Sequence, residues 1–213
     1  MGALMLQILL RRFELAMMPA RASLAAVPAR GHSRSMRQLL LLRHAKSSWD
    51  DRDMPDHARP LNLRGRQAAA AMRQAITTLE LCPDLVLVST ARRTRETLAA
   101  LEPWPHDPKV TETDDLYLAS VAALMDALRE VDDGVRSVML VGHNPGLHEL
   151  ALTLLGADSG HAARLSGSDA RRLMDGYPSG ALAEFALAGP WSGLAQGGAK
   201  LVRFLCPRDL PPT

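Results

Sequence analysis

Aromatic residues are scarce in this chain: Phe, Trp and Tyr make up 4% of its 213 residues. Its core must therefore be built from Leu, Ala, Val and Met. Cysteine is scarcer still. Cys82 and Cys206 stand far apart with no metal-type spacing, which argues against a disulfide framework and makes the reducing cytoplasm the expected compartment. Neither sign of charge dominates. The formal net charge is +2, and no Lys/Arg run with interleaved aromatics forms a stripe for nucleic acid. Long apolar runs are absent: Ala3 to Leu10 is too short to span a membrane, and Arg11 and Arg12 follow it, whereas a signal peptide carries its charge first. Neither nucleic acid nor membrane is an expected partner.

What is present is an ordinary globular composition, 47% hydrophobic and 23% charged, and enough chain for one domain. Residues 1–35 stand apart, rich in Ala, Arg and Met with Glu14 as their single acid. They read as an N-terminal extension, a loose tail or a misassigned start before Met36, with an organellar targeting segment as the alternative. Residues 36–213 read as a single domain.

From Met36 onward strand-like and helix-like patterns alternate. Gln38–Leu42, Asp84–Thr90 and Ser137–His143 read as strands, the first buried on both faces. Asn62 can cap a helix through the Ala-rich "LRGRQAAAAMRQAITTLEL". Further helices are predicted over "RRTRETLAALE", from Ser120 to Gly134, and from Pro145 to Gly156. Residues 157–179 have only a weak helical middle, and "GALAEFALAG" and "AKLVRFLCP" read as a closing hairpin. The pattern predicts an α/β fold, a mainly parallel sheet between two layers of helices. Such sheets hold ligands at the carboxyl ends of their strands. Three of those ends carry Arg43-His44, Ser89 followed by Arg92 and Arg93, and Gly142-His143. Any one could be structural. Together they collect cationic and imidazole groups on one edge, where the natural ligand is a phosphoryl dianion.

Familiar hydrolytic designs do not fit. No C-x5-R follows either cysteine, and neither G-x-x-x-x-G-K-[ST] nor G-x-S-x-G occurs. "DRD" at Asp51–Asp53 resembles an aspartyl-phosphate motif but lies in a polar loop. A metal site needs clustered carboxylates and histidines, whereas this edge gathers positive charge, so neither metal nor cofactor is expected. A histidine nucleophile remains. Neutral imidazole can attack phosphorus and hold the group as phosphohistidine, and arginines suit the phosphoryl oxygens.

These residues resemble the histidine phosphatase superfamily, which includes the cofactor-dependent phosphoglycerate mutases. "RHA" at Arg43–Ala45 matches its signature R-H-G, with alanine in place of glycine as in one branch; "STARRTRET" matches S-x-x-x-R-x-x-x-T and selects Arg93 over Arg92; "VGHNPGL" matches the segment bearing the second histidine, His143. "KSSWDDRDMPDHARPLNLRG" and "YPSGALAEFAL…LVRFLCPRDL" resemble the phosphohistidine phosphatase branch, SixA type. The match runs from Met36 to about Leu210.

The resemblance implies a phosphoglycerate mutase-like fold, with His44 as nucleophile. Arg43, Arg93 and His143 would hold the phosphoryl group, and Asp56 and Arg59 would line the substrate site. Asp115, in "TETDDLYLA", takes the place where relatives often carry a glutamate and is the candidate general acid; its alternative is a loop carboxylate or helix cap. Trp49 is expected to pack its loop, His148 to be an ordinary helix residue, and His32, His57, His106 and His161 to lie on the surface. The expected activity is dephosphorylation of phosphohistidine on a phosphorelay or phosphotransfer protein. A phosphomonoesterase for a small phosphorylated metabolite is the alternative, and a non-catalytic phosphate-binding module the second.

Overall fold

The computed structural model describes residues 36–156 and 167–211; the expectations for residues 1–35 and for His161 lie outside them. The sheet has six strands, β1 (Arg37–Arg43), β2 (Leu85–Ser89), β3 (Lys109–Thr113), β4 (Ser137–Gly142), β5 (Leu182–Leu187) and β6 (Ala199–Leu205), in the order β3-β2-β4-β1-β5-β6. The first four strands are mutually parallel. β5 runs antiparallel to both β1 and β6, which is the expected closing hairpin.

β1 lies between β4 and β5, so its leucines are enclosed on both faces. Leu39 and Leu41 enter one apolar cluster; Leu40 and Leu42 enter the other. Each such buried side chain stabilises the fold by about 1.5–3 kcal/mol. The first cluster is completed by α3 (Val121–Arg129), α4 (Gly146–Leu155) and α5 (Ser168–Asp175), through Leu128, Leu150 and Leu173. The second is completed by α1 (Leu63–Thr78) and α2 (Arg92–Ala99), through Met72, Ile76 and Leu98. The result is the three-layer α/β/α arrangement expected of the sequence.

Local signals explain the helix ends. Asn62 accepts a hydrogen bond from the Gly65 amide and caps α1, and Ser120 caps α3 through Ala123 N. Gly156 closes α4 at φ 70°, where a side chain would be strained. α3 stops at Arg129, short of the expected Gly134. β3 was not foreseen: its sequence, KVTET, is short and mostly solvent-facing, as an edge strand allows. Among the described residues no helix is long and apolar enough to cross a membrane.

Candidate active site

Four parallel strands end on the same edge of the sheet, and their ends build one cleft of about 410 Å³. β1 delivers Arg43 and His44. His44 is 9% exposed, its amide bonded to Gly142 O at 3.1 Å. His44 Nδ1 lies 2.8 Å from Ala45 O. A carbonyl oxygen only accepts, so Nδ1 carries the proton and Nε2 keeps its lone pair.

The segment after β2 explains the spacing of Ser89, Arg93 and Thr97. Thr97 Oγ1 accepts from the Ala45 amide at 3.0 Å and donates to Arg93 O at 2.6 Å, fixing the turn beside His44. Arg93, 4% exposed, donates through Nη2 to His143 Nδ1 at 3.2 Å. That leaves the His143 proton on Nε2, which donates to Ser89 Oγ at 2.9 Å. The two imidazoles stand 5.2 Å apart between centroids.

Arg43 Nη1 and Asn144 Nδ2 both donate to Tyr177 O, at 2.7 and 3.1 Å, and Arg43 Nε is buried without a partner among the described residues. Asp56 sits opposite. Its Oδ2 accepts from Arg93 Nη2 at 2.9 Å and from the Tyr117 hydroxyl at 2.7 Å; its Oδ1 accepts from Arg59 Nη1 at 3.0 Å. Arg59 is 4% exposed, and its other donors go to Ser48 O and Ser47 Oγ. It lines the cleft, as resemblance implied, and its donors brace the loop and Asp56.

Burial dominates the electrostatics. It lowers His44 to about 4; the Ala45 carbonyl and Asp56 oppose this, and the Arg93 and Arg43 charges reinforce it. His143 falls to about 3, through burial first and then the nearby His44 and Arg93 charges. Both rings are thus neutral at pH 7. Burial pushes Asp56 upward, but the Tyr117 hydrogen bond and Arg93 outweigh it, leaving the carboxyl below its ordinary value and ionised.

Asp115 is not part of this gathering. Its exposed carboxylate accepts from Thr113 Oγ1 at 3.1 Å, within the turn after β3 and outside the cleft lining. His57 was expected on the surface. It is partly exposed there, with Nε2 2.9 Å from Thr90 Oγ1 and its ring edge-on to Tyr117. His148 donates to Leu173 O, a structural role, and His106 is exposed. A groove of about 690 Å³ beside the cleft runs along α2 and β3, past Arg92, Arg95 and Glu112. It carries both signs of charge and none of the strand-end imidazoles.

Sequence reading missed Lys46, Tyr117, Leu118, Asn144 and Ser179 in or beside the cleft. Lys46 and Asn144 follow the two motif histidines closely and could have been found by extending those motifs. Tyr117 and Leu118 come from the turn after β3, the strand that was not recognised. Among the described residues no group of three or more His, Cys, Asp or Glu is placed to hold a metal ion. The arrangement offers an unprotonated imidazole nitrogen, two arginines and a second imidazole around one small space, which suits phosphoryl transfer.

The model of the histidine phosphatase superfamily (branch 1) matches residues 39–117. An uncharacterized protein of Mycobacterium tuberculosis is 34% identical over 170 residues, covering 78% of this chain and 100% of that one. A solved structure from Nakamurella multipartitia, of a candidate phosphohistidine phosphatase SixA, is 31% identical with a TM-score of 0.68, covering 80% of this chain and 95% of that one. A second SixA candidate, from Agrobacterium tumefaciens, is 30% identical with a TM-score of 0.63, covering 80% and 97%. With this fold, these strand ends and these relatives, the chain belongs to the histidine phosphatase superfamily.

Proposed function

We propose that the chain is a phosphatase that works through a phosphohistidine intermediate on His44, and that its substrate is phosphohistidine on a protein of the histidine-phosphotransfer kind. His44 Nε2 attacks phosphorus in line. The substrate ring, protonated on its other nitrogen, leaves as neutral imidazole when its P–N bond breaks and the P–Nε2 bond forms. Water then attacks phosphorus, the P–Nε2 bond breaks, and inorganic phosphate leaves. Arg43, Arg93 and His143 hold the phosphoryl oxygens and stabilise charge during transfer.

The observation that carries the nucleophile is the His44 Nδ1–H bond to Ala45 O at 2.8 Å, which reserves Nε2 for attack. The choice of substrate is supported by the carboxyls. Asp56 is the one carboxyl that lines the cleft among the described residues, and it is ionised. An alkoxide leaving group needs a proton during bond breaking. An imidazole needs far less help, its unperturbed pKa being about 6.5. The SixA-type structural relatives are in keeping with this reading.

Trapping tests it. Labelled phosphohistidine peptide is mixed with enzyme, quenched in alkali, and the label mapped. Label on His44, and its loss in His44→Ala together with turnover, is expected. Label on another residue removes the mechanism. A wild-type enzyme whose kcat/KM favours alkyl phosphoesters over the P–N substrate removes the substrate assignment.

A further inference from the structure

Two large apolar side chains stand in water at the mouth of the catalytic cleft. Trp49 is 74% exposed and Leu118 52% exposed, and both line the cleft. They come from different elements, Trp49 from the loop after β1 and Leu118 from the turn after β3. We propose that Trp49 and Leu118 are specificity-determining residues, an apolar rim that grips a nonpolar side chain next to the phosphorylated histidine of a protein substrate. The proposal rests on the phosphatase reading above and deepens it.

Trp49 is held rather than loose. The Arg59 guanidinium carbon lies 3.1 Å from the centre of the Trp49 ring, and Arg59 is itself fixed by Ser48 O, Asp56 and Ser47. Ser48 Oγ donates to Asp50 Oδ2 and accepts from the Asp50 amide, shaping the turn that carries Trp49. One ring face therefore rests on a buried cation and the other is open. A ring whose negative face is already engaged by a guanidinium attracts a second cation weakly. Its open face suits an uncharged apolar group.

Leu118 sits at φ 49°, in the left-handed region that a leucine adopts only at a cost. About half of it still stays in water. Tyr117 beside it is tied to Asp56, which ties this turn to the catalytic cleft. Neither Trp49 nor Leu118 can hydrogen-bond a phosphoryl oxygen, and a compact polar phosphoester gains nothing from them. A protein segment that inserts its phosphohistidine past the rim covers both. Lys46, exposed and lining the same cleft, adds a cation facing that segment.

The experiment compares kcat/KM on two P–N substrates, an isolated histidine-phosphotransfer domain phosphorylated on histidine, and free phosphoramidate, which has no flanking residues. Trp49→Ala and Leu118→Asn are each expected to lower the domain-to-phosphoramidate ratio by at least about tenfold, about 1.4 kcal/mol, mainly through the KM for the domain. Asn is chosen at 118 because it tolerates the left-handed backbone. Trp49→Phe, which keeps an aromatic face over Arg59, is expected to restore most of the ratio. A ratio unchanged within about twofold in both Ala and Asn variants overturns the rim and leaves the phosphatase reading standing. Equal losses on both substrates also overturn it, showing that Trp49 acts only by supporting Arg59. A wild-type enzyme that hydrolyses neither P–N substrate fails the phosphatase reading, and the rim falls with it.

Discussion

Arg93 and Asp56 are joined twice: Arg93 Nη1 donates to the Asp56 backbone carbonyl at 2.6 Å, and Nη2 to its carboxylate at 2.9 Å. In the proposed mechanism a phosphoryl dianion would replace this carboxylate on Arg93, one anionic partner for another, with the guanidinium already aimed.

This predicts unequal effects at neighbouring arginines. Arg92 is exposed and pairs with Glu96 on its own helix at 2.7 Å, a contact worth a few tenths of a kcal/mol. Arg93→Ala should lower kcat by about 10²–10³-fold, the loss typical of removing one transition-state donor. Arg92→Ala should change it by less than about threefold, within ordinary surface effects. Steady-state kinetics on the two variants decides this, and equal losses would refute the assignment.

Thr97 touches no substrate, yet it holds the amide next to the nucleophile. Thr97→Val keeps the shape and removes the acceptor, leaving the buried Ala45 N–H without a partner. A stability loss of about 1–3 kcal/mol is expected, measurable by urea unfolding. A fall in kcat at unchanged KM should accompany it, and Thr97→Ser should recover most of both.

The depressed His44 pKa sets the acid limb. The ring is neutral above about pH 4 rather than above its ordinary 6.5. With p-nitrophenyl phosphate, whose leaving group needs no acid, kcat/KM should hold from pH 8 to about 5 and fall as pH drops through about 4; this profile reports the free enzyme. Stability has the same sign. Between pH 6.5 and 4 the unfolded chain takes up protons that the buried His44 refuses. Stability is therefore complete above pH 6.5 and declines below it, by up to about 1.4 kcal/mol per pH unit for each such histidine. An acid limb centred near 6.5 would show that His44 is not desolvated in solution.

Asp115 offers a sharp negative prediction. Its carboxylate is bound to Thr113 outside the cleft, so Asp115→Asn should leave the ratio of phosphohistidine to alkyl phosphoester turnover unchanged. A selective loss of phosphoester turnover would mean that the turn after β3 swings inward during catalysis.

Most of this site could be read from the sequence because its chemistry sits at strand ends, and buried strands announce themselves. The run Leu39–Leu42 places Arg43 and His44; the run before Ser137–Gly142's end places His143. β3 gave no such signal. KVTET buries little, pairs on one side only, and so carries no alternation or apolar run. In the stretch that follows it, TETDDLYLA, resemblance marked Asp115 and neither Tyr117 nor Leu118. Arg59 shows another limit: a motif marks an arginine at the cleft, but not that its donors are held by a loop. Only the geometry at Ser47, Ser48 and Asp56 reveals that.

The position of β1 between β4 and β5 has a consequence for the order in which the protein can come into being. Gln38, at the start of β1, meets Ser137 and Glu184, partners separated from it by 99 and 146 residues. On a ribosome adding roughly 5–20 residues per second, the strand that carries His44 is among the first to emerge and among the last to be enclosed. Its leucines wait for the C-terminal hairpin, exposed to chaperones and to other chains alike. A chain cut short before β5 would keep the RHA, STARRTRET and VGHNPG motifs, yet leave the strand bearing His44 as an open sheet edge, a template for aggregation.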